Sequence, residues 1–145
     1  MTSLLRFEQV TCRRGGRMLF EALDVNLRPG EGLHLTGPNG AGKSSLIRLA
    51  AGLLRADAGR VERGALALAD DAPALDRELP LKRALRFWGG EVDWAMEALD
   101  LTRLAGVPVR LLRSGQIKRA SLARVAASAA PLWLLDEPLN ALDAD

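Results

Sequence analysis

The sequence predicts an α/β fold, and three observations carry that expectation. Strand-like and helix-like patterns alternate along the 145 residues, a glycine-rich loop stands between a short strand pattern and a helical one, and a continuous apolar run ending in two carboxylates follows an alanine-rich helix near the C-terminus. Apolar side chains make up 48% of the chain, the share of an ordinary globular domain with a core, and the length suits one domain.

The elements follow in order. LLRFEQVT and ALDVNLR alternate apolar and polar residues, which predicts two half-exposed strands of an antiparallel layer, with TCRRGGRML read as the loop after the first and RPGEG as a turn signal. LHLTG is a short strand, and His34 inside it is a strand residue rather than a catalyst. KSSLIRLAAGLL reads as a helix with Leu46, Ile47, Leu49, Ala50 and Leu53 on one stripe, closed near Gly52. GRVERGALALAD reads as a hairpin of short strands around Arg63 and Gly64. Residues 81–104 turn helical, with Leu85, Trp88, Trp94, Ala98, Leu99 and Leu101 as expected buried positions and Gly89 and Gly90 as a break; a small helical insert is expected over about 76–125. GQIKRASLARVAASAA has helical spacing, and PLWLLDEP is an apolar run expected to form a strand buried on both faces.

Composition excludes several functions. Twenty basic against eighteen acidic side chains leave +2, which gives no electrostatic case for a nucleic-acid partner. Cys12 is the only cysteine and cannot form an internal disulfide, and no basic start followed by an apolar core marks a secretory signal, so a cytosolic setting is expected. No stretch approaches the roughly 18 consecutive apolar residues of a membrane span.

The chemistry lies in two segments. GPNGAGKS, made of Gly37, Pro38, Asn39, Gly40, Ala41, Gly42, Lys43 and Ser44 and followed by Ser45, fits a phosphate-binding loop. Its glycines let backbone N–H groups turn toward phosphate oxygens at the positive end of the following helix, Lys43 reaches the β and γ phosphates, and Ser44 can ligate Mg²⁺. LWLLDE is the complement: a strand delivers Asp136 beside the metal and Glu137 toward the attacking water, which a carboxylate can polarise. ATP and Mg²⁺ are the expected ligands.

The order GPNGAGKSSLIRLAAGLL, SGQIKRASLARV, PLWLLDEPLNALD resembles the ATP-binding subunits of ABC transporters over nearly the whole chain, and the short N-terminal segment, compact insert and LW.LDEP.NALD wording are most similar to those serving cytochrome c maturation and haem export. The resemblance implies a phosphate-loop NTPase of ABC type: an α/β fold with an antiparallel β layer and a small helical subdomain, one ATP-binding domain over residues 1–145, truncated at its C-terminus because the switch histidine of the family lies beyond the D-loop. It implies a head-to-tail homodimer in which Lys43, Ser44, Asp136 and Glu137 of one copy meet Arg113, Ser114, Gly115 and Gln116 of the other, with Asp143 in the D-loop at the partner contact. It also implies integral-membrane permease subunits as partners and a peripheral place on the cytoplasmic face of the inner membrane.

Departures from the family pattern define open positions. The family's signature serine falls on Arg113, so either Ser114 has slipped into its role or Arg113 supplies a cation to the phosphate bound by the other subunit. The coupling glutamine is absent: the only glutamines are Gln9 and Gln116, and Asp70 and Asp71 either substitute or form a solvated acidic turn. The adenine-stacking aromatic is absent too, leaving Arg14, or Arg13, to stack through a guanidinium or simply to be solvated. Arg113, Lys118 and Arg119 around a helix start cost about 0.3–1 kcal/mol each unless an anion is there. Two alternatives follow: a regulatory or adaptor module that binds ATP with little hydrolysis, and a soluble ABC ATPase outside transport.

Overall fold

The structure, a computed structural model, describes residues 2–38, 40–70 and 72–137. The chain divides into two compact units, Met1–Leu66 and Ala67–Asp145.

In the first unit, β1 (Leu5–Arg14) is the centre of an antiparallel sheet, with β2 (Arg17–Leu27) on one edge and β3 (Ala58–Arg63) on the other. Leu5, Phe7, Val10 and Cys12 of β1 are buried while their neighbours face outward, as alternation requires. The step from Phe7 to Val10 passes through a bulge at Gln9, whose backbone N–H and side-chain amide both donate to Asp24, at 2.8 and 2.6 Å. Burial and the nearby Asp57 charge push the Cys12 thiol above its ordinary pKa, so it behaves as a small core side chain. The expected loop TCRRGGRML is instead a continuous hairpin: Arg14 pairs with Arg17 and only Gly15 and Gly16 turn between them, a two-glycine signal that favours tight hairpins.

Two further expectations fail here. Residues 31–36 form no strand, and LHLTG pairs with none of the three strands of this unit's sheet, β2-β1-β3. Leu33 and His34 lie exposed in that segment. Nor is GRVERGALALAD a hairpin, because β3 pairs with β1 while β4 (Leu66–Ala69) pairs with β5 (Leu132–Leu135) in a two-stranded sheet. Local alternation was read correctly, but the pairing partners are distant in sequence.

α1 (Lys43–Ala51) closes as expected at Gly52: the Gly52 and Leu53 N–H groups donate to Leu49 and Arg48 carbonyls, at 3.2 and 2.9 Å, in a Schellman arrangement. Leu49 and Ala50 are buried, whereas Leu53, just past the cap, has left the stripe and is exposed.

The second unit buries one main core among α2 (Leu81–Trp88), α3 (Val92–Ala98) and α4 (Ser114–Ala127), with Leu81, Leu85, Met96, Leu101, Ala120 and Ala123 at its centre. The alanines of α4 let it pack closely in that core. Leu85 and Leu101 are buried as expected, but Trp88, Trp94 and Ala98 are exposed and Leu99 is only partly buried. In α3 the inward positions are Val92, Ala95 and Met96, spaced three and four apart, which places Trp94 and Ala98 on the opposite face. The orphan N–H groups that open α2 are met by tertiary carbonyls, Leu81 on Val107 at 2.9 Å and Lys82 on Ala105 at 3.0 Å. β5 is not buried on both faces: Leu132 and Leu134 point inward and Trp133 outward, because one face of the two-stranded sheet packs, with Ala67, Ala69 and Val125 forming a small cluster.

Candidate functional site

The first candidate segment is the loop before α1. Gly37, Gly40 and Gly42 all take positive φ, at 140°, 84° and 105°, a backbone path that other L-residues resist. Gly42 is doubly constrained, since a Cβ there would also press on Leu19 Cβ of β2 at 3.2 Å. Ala41 N–H donates to the Pro38 carbonyl at 3.2 Å, tightening the loop, and the Lys43 ammonium folds back to donate to the Gly37 carbonyl at 2.7 Å. Lys43 and Ser44 open α1, with Ser45 next in its first turn. Asn39 lies outside the described residues.

Sequence reasoning missed what holds the other end of this helix. Arg63, read as part of a turn, lies at the end of β3 and donates from Nε to the Ala50 carbonyl at 2.7 Å and from Nη2 to the Leu49 carbonyl at 2.9 Å. A guanidinium on the last carbonyls of α1 satisfies orphan acceptors and complements the negative end of the helix dipole. An arginine twelve residues past the end of a helix gives no local signal of that role. Arg14 sits exposed at the hairpin tip, at the end of β1; the neighbouring Arg13 N–H donates to Asp57 Oδ2 at 2.6 Å.

A second candidate segment belongs to the other unit. β5 ends at Leu135, and Asp136 continues the ladder by donating its N–H to the Ala69 carbonyl at 2.8 Å. Glu137 has left the strand: it is exposed and takes φ 49°, a left-handed conformation that a non-glycine residue adopts at a cost and that concentrates at functional sites. Asp143 lies outside the described residues, as does Asp71. Asp70 accepts the Ala72 N–H at 3.0 Å, a turn-capping role.

Arg113, Ser114, Gly115 and Gln116 come together at the start of α4. Arg113 occupies the N-cap, with Ser114 and Gly115 the first two helical residues; Arg113 and Ser114 are exposed and Gly115 is buried. Gln116 Oε1 accepts the Arg113 backbone N–H at 2.9 Å, which is half of a capping box. The other half needs a side-chain acceptor at the N-cap, and a guanidinium has none. Arg113→Ser is therefore expected to stabilise the protein by about 0.5–2 kcal/mol, read as a higher urea midpoint; an unchanged midpoint would mean the cap is already satisfied.

The chemistry of the donors fits a nucleotide and its metal. The loop offers backbone N–H groups and an ammonium to phosphate, and the Ser44 hydroxyl and Asp136 carboxylate are hard oxygen donors of the kind magnesium takes. Among the described residues no group of three or more His, Cys, Asp or Glu side chains gathers that could hold a metal ion.

A model of the ABC transporter family matches residues 20–140. The chain belongs to the ABC transporter family. It is similar to the cytochrome c biogenesis ATP-binding export protein CcmA of Sphingopyxis alaskensis, 57% identical over 151 residues, covering 99% of this chain and 78% of that protein. To the protein of the same name from Novosphingobium aromaticivorans it is 62% identical over 138 residues, covering 92% of this chain and 72% of the relative. A metal-chelate type ABC transporter solved in an inward-facing conformation superposes with a TM-score of 0.80 at 28% identity, over 99% of this chain and 63% of that one. CbiO1 from Clostridium perfringens superposes at 0.81 with 22% identity, over 99% and 68%, a likeness of fold. The α/β phosphate-loop fold of ABC type expected from the sequence is thus the fold of the chain. Among the described residues no helix is long and apolar enough to cross a membrane.

Proposed function

We propose that this chain is the ATP-binding and ATP-hydrolysing subunit of an ABC transporter complex for cytochrome c biogenesis, with haem export as the transport it drives. The observation that carries the reading is the loop of three positive-φ glycines that ends in Lys43 and Ser44 at the start of α1. ATP would be held by the backbone of residues 37–45 and by Lys43, which exchanges the Gly37 carbonyl for phosphate oxygens. Arg14, at the hairpin tip, is the candidate to stack on adenine. Mg²⁺, with Ser44 and Asp136 as its protein ligands, supplies charge neutralisation at the β and γ phosphates when bound. Glu137 then polarises the attacking water, and its position just outside the strand leaves the carboxylate accessible to that water.

The partner reading follows from α4. Arg113 and Ser114, exposed, with Gly115 buried behind them and Gln116 half-buried, form a helix start with no acidic residue in its first turn, suited to a phosphate brought by a second, head-to-tail copy. Permease subunits would complete the complex at the cytoplasmic face of the inner membrane, and Asp143 belongs to the surface expected to meet the second copy. Lys43→Ala is expected to weaken ATP binding by about ten- to a hundredfold, the worth of one hydrogen bond to a charged group, in a titration with a fluorescent nucleotide. Unchanged affinity would remove the phosphate-loop assignment.

One observation favours the second reading, an ATP-binding module with little turnover. Both glutamines are engaged in structure, Gln9 on Asp24 and Gln116 on the Arg113 N–H, so neither takes the role of the missing coupling glutamine. Steady-state phosphate release separates the two.

A further inference from the structure

Arg124 lies on α4, ten residues past the helix start. Its Nη2 donates to the Leu68 carbonyl of β4, and its guanidinium lies over the Trp88 ring, 5.0 Å from the centroid. Burial lowers its pKa from the ordinary arginine value, opposed by the nearby Asp70 charge, and its buried Nε has no acceptor among the described residues. A partly buried guanidinium with one buried donor unmatched is a costly way to fill space, which a methionine would do without desolvating a charge. The next carbonyl of β4 shows what the arrangement holds. Successive carbonyls of a strand point to opposite sides, so while Leu68 accepts from Arg124, Ala69 accepts the N–H of Asp136 at 2.8 Å. The end of β4 is thus held between the helix that begins with the signature residues and the carboxylates at the end of β5.

Resting on the ATPase reading above, we infer that Arg124 is a positioning residue for Asp136 and Glu137: through the end of β4 it fixes the two carboxylates relative to α4, linking the half-site that meets the second copy to the half-site that activates water. Trp88 supports this from the other side. Its indole N–H is committed to the Ala74 carbonyl at 2.7 Å and Phe87 packs edge-on against it at 5.6 Å, so its ring is a fixed surface against which the guanidinium is oriented. Lysine keeps the charge but lacks the planar fork that stacks and donates at once.

The test uses the full-length protein with Mg²⁺ and ATP. In Arg124→Lys, kcat is expected to fall about tenfold or more with KM for ATP within about twofold of wild type, because the carboxylates shift and the phosphate loop does not. The Asp136 amide, measured by hydrogen exchange, should lose protection while amides of α1 keep theirs. Trp88→Phe, which retains a ring face but loses the bond that fixes it to Ala74, should lower kcat by less than Arg124→Lys does. If Arg124→Lys does not fold, Trp88→Leu, which removes the stacking surface, is read by the same kinetic split and the same exchange. The inference is overturned by an unchanged kcat, by KM rising with the loss of kcat, by α1 and Asp136 amides losing protection together, or by Trp88→Phe falling as far as Arg124→Lys. Absence of ATP turnover in the wild type would instead overturn the ATPase reading, and this inference with it.

Discussion

Glu137→Gln is expected to bind ATP as tightly as the wild type and to hydrolyse it about 10²–10⁴-fold more slowly, the usual contribution of a general base. The amide keeps the size and the hydrogen-bonding reach of the carboxylate but cannot accept a proton, so only the chemical step is affected. Asp136 is not equivalent. Its backbone is tied to Ala69 and it follows directly from the strand, whereas Glu137 is exposed in a left-handed conformation. Two adjacent carboxylates thereby receive different placements, the first suited to a metal and the second to water. Nucleotide titration and phosphate release measured on the same preparation check the expectation. A variant that hydrolyses at the wild-type rate would take the base role away from Glu137.

Gly90→Ala is expected to destabilise the protein by about 3 kcal/mol or more. Gly90 has φ 89°, and a Cβ built on it would lie 1.9 Å from the Ala127 carbonyl oxygen at the end of α4. That oxygen is backbone and already accepts the Glu91 N–H at 3.0 Å, so neither side can yield without breaking the cap that joins α3 to α4. Gly30→Ala is the matched comparison: its φ is 85°, but nothing lies within 4 Å of the added methyl, and the cost should be only about 1 kcal/mol. Equal urea midpoints for the two variants would show that backbone strain alone, and not the contact with α4, explains Gly90.

The glycine pair at 89–90 illustrates how far the sequence could be read. It marks a break in a helical pattern, and the break is there, but its reason is a carbonyl thirty-seven residues away. Features written in short-range spacing were legible: the phosphate loop, α1 with its Gly52 cap, the start of α4 at Ser114, and the apolar strand that presents Asp136. Features set by distant partners were not. Arg63 and Gly64 looked like a hairpin turn because the residues on either side alternate, yet β3 and β4 belong to different sheets. Trp88 and Trp94 were counted into the core by size, whereas helical phase puts Ala95 and Met96 there and leaves the tryptophans outside. The clearest site-level omissions are Arg63 on the end of α1 and Arg124 between α4 and β4, whose roles rest on carbonyls that no side-chain pattern reveals.

The question at Arg113 is sharpened by the same geometry. Its slot is the N-cap of α4, where a guanidinium in place of a hydroxyl removes a cap, and Ser114 lies one residue inside the helix, where its hydroxyl is not in the capping position. Arg113 therefore stands as the side chain best able to reach an anion brought to this helix, with the backbone of Ser114 and Gly115 behind it.

The proposal that this chain hydrolyses ATP is tested most directly by steady-state phosphate release from the purified protein with Mg²⁺ and ATP, run beside Lys43→Ala and Glu137→Gln. Release by the wild type, with none above background from Lys43→Ala at ATP concentrations that saturate the wild type and a rate at least about 10²-fold lower from Glu137→Gln, is the expected result. ATP binding by the wild type without phosphate release above that of Glu137→Gln would contradict it and leave a nucleotide-binding module in its place.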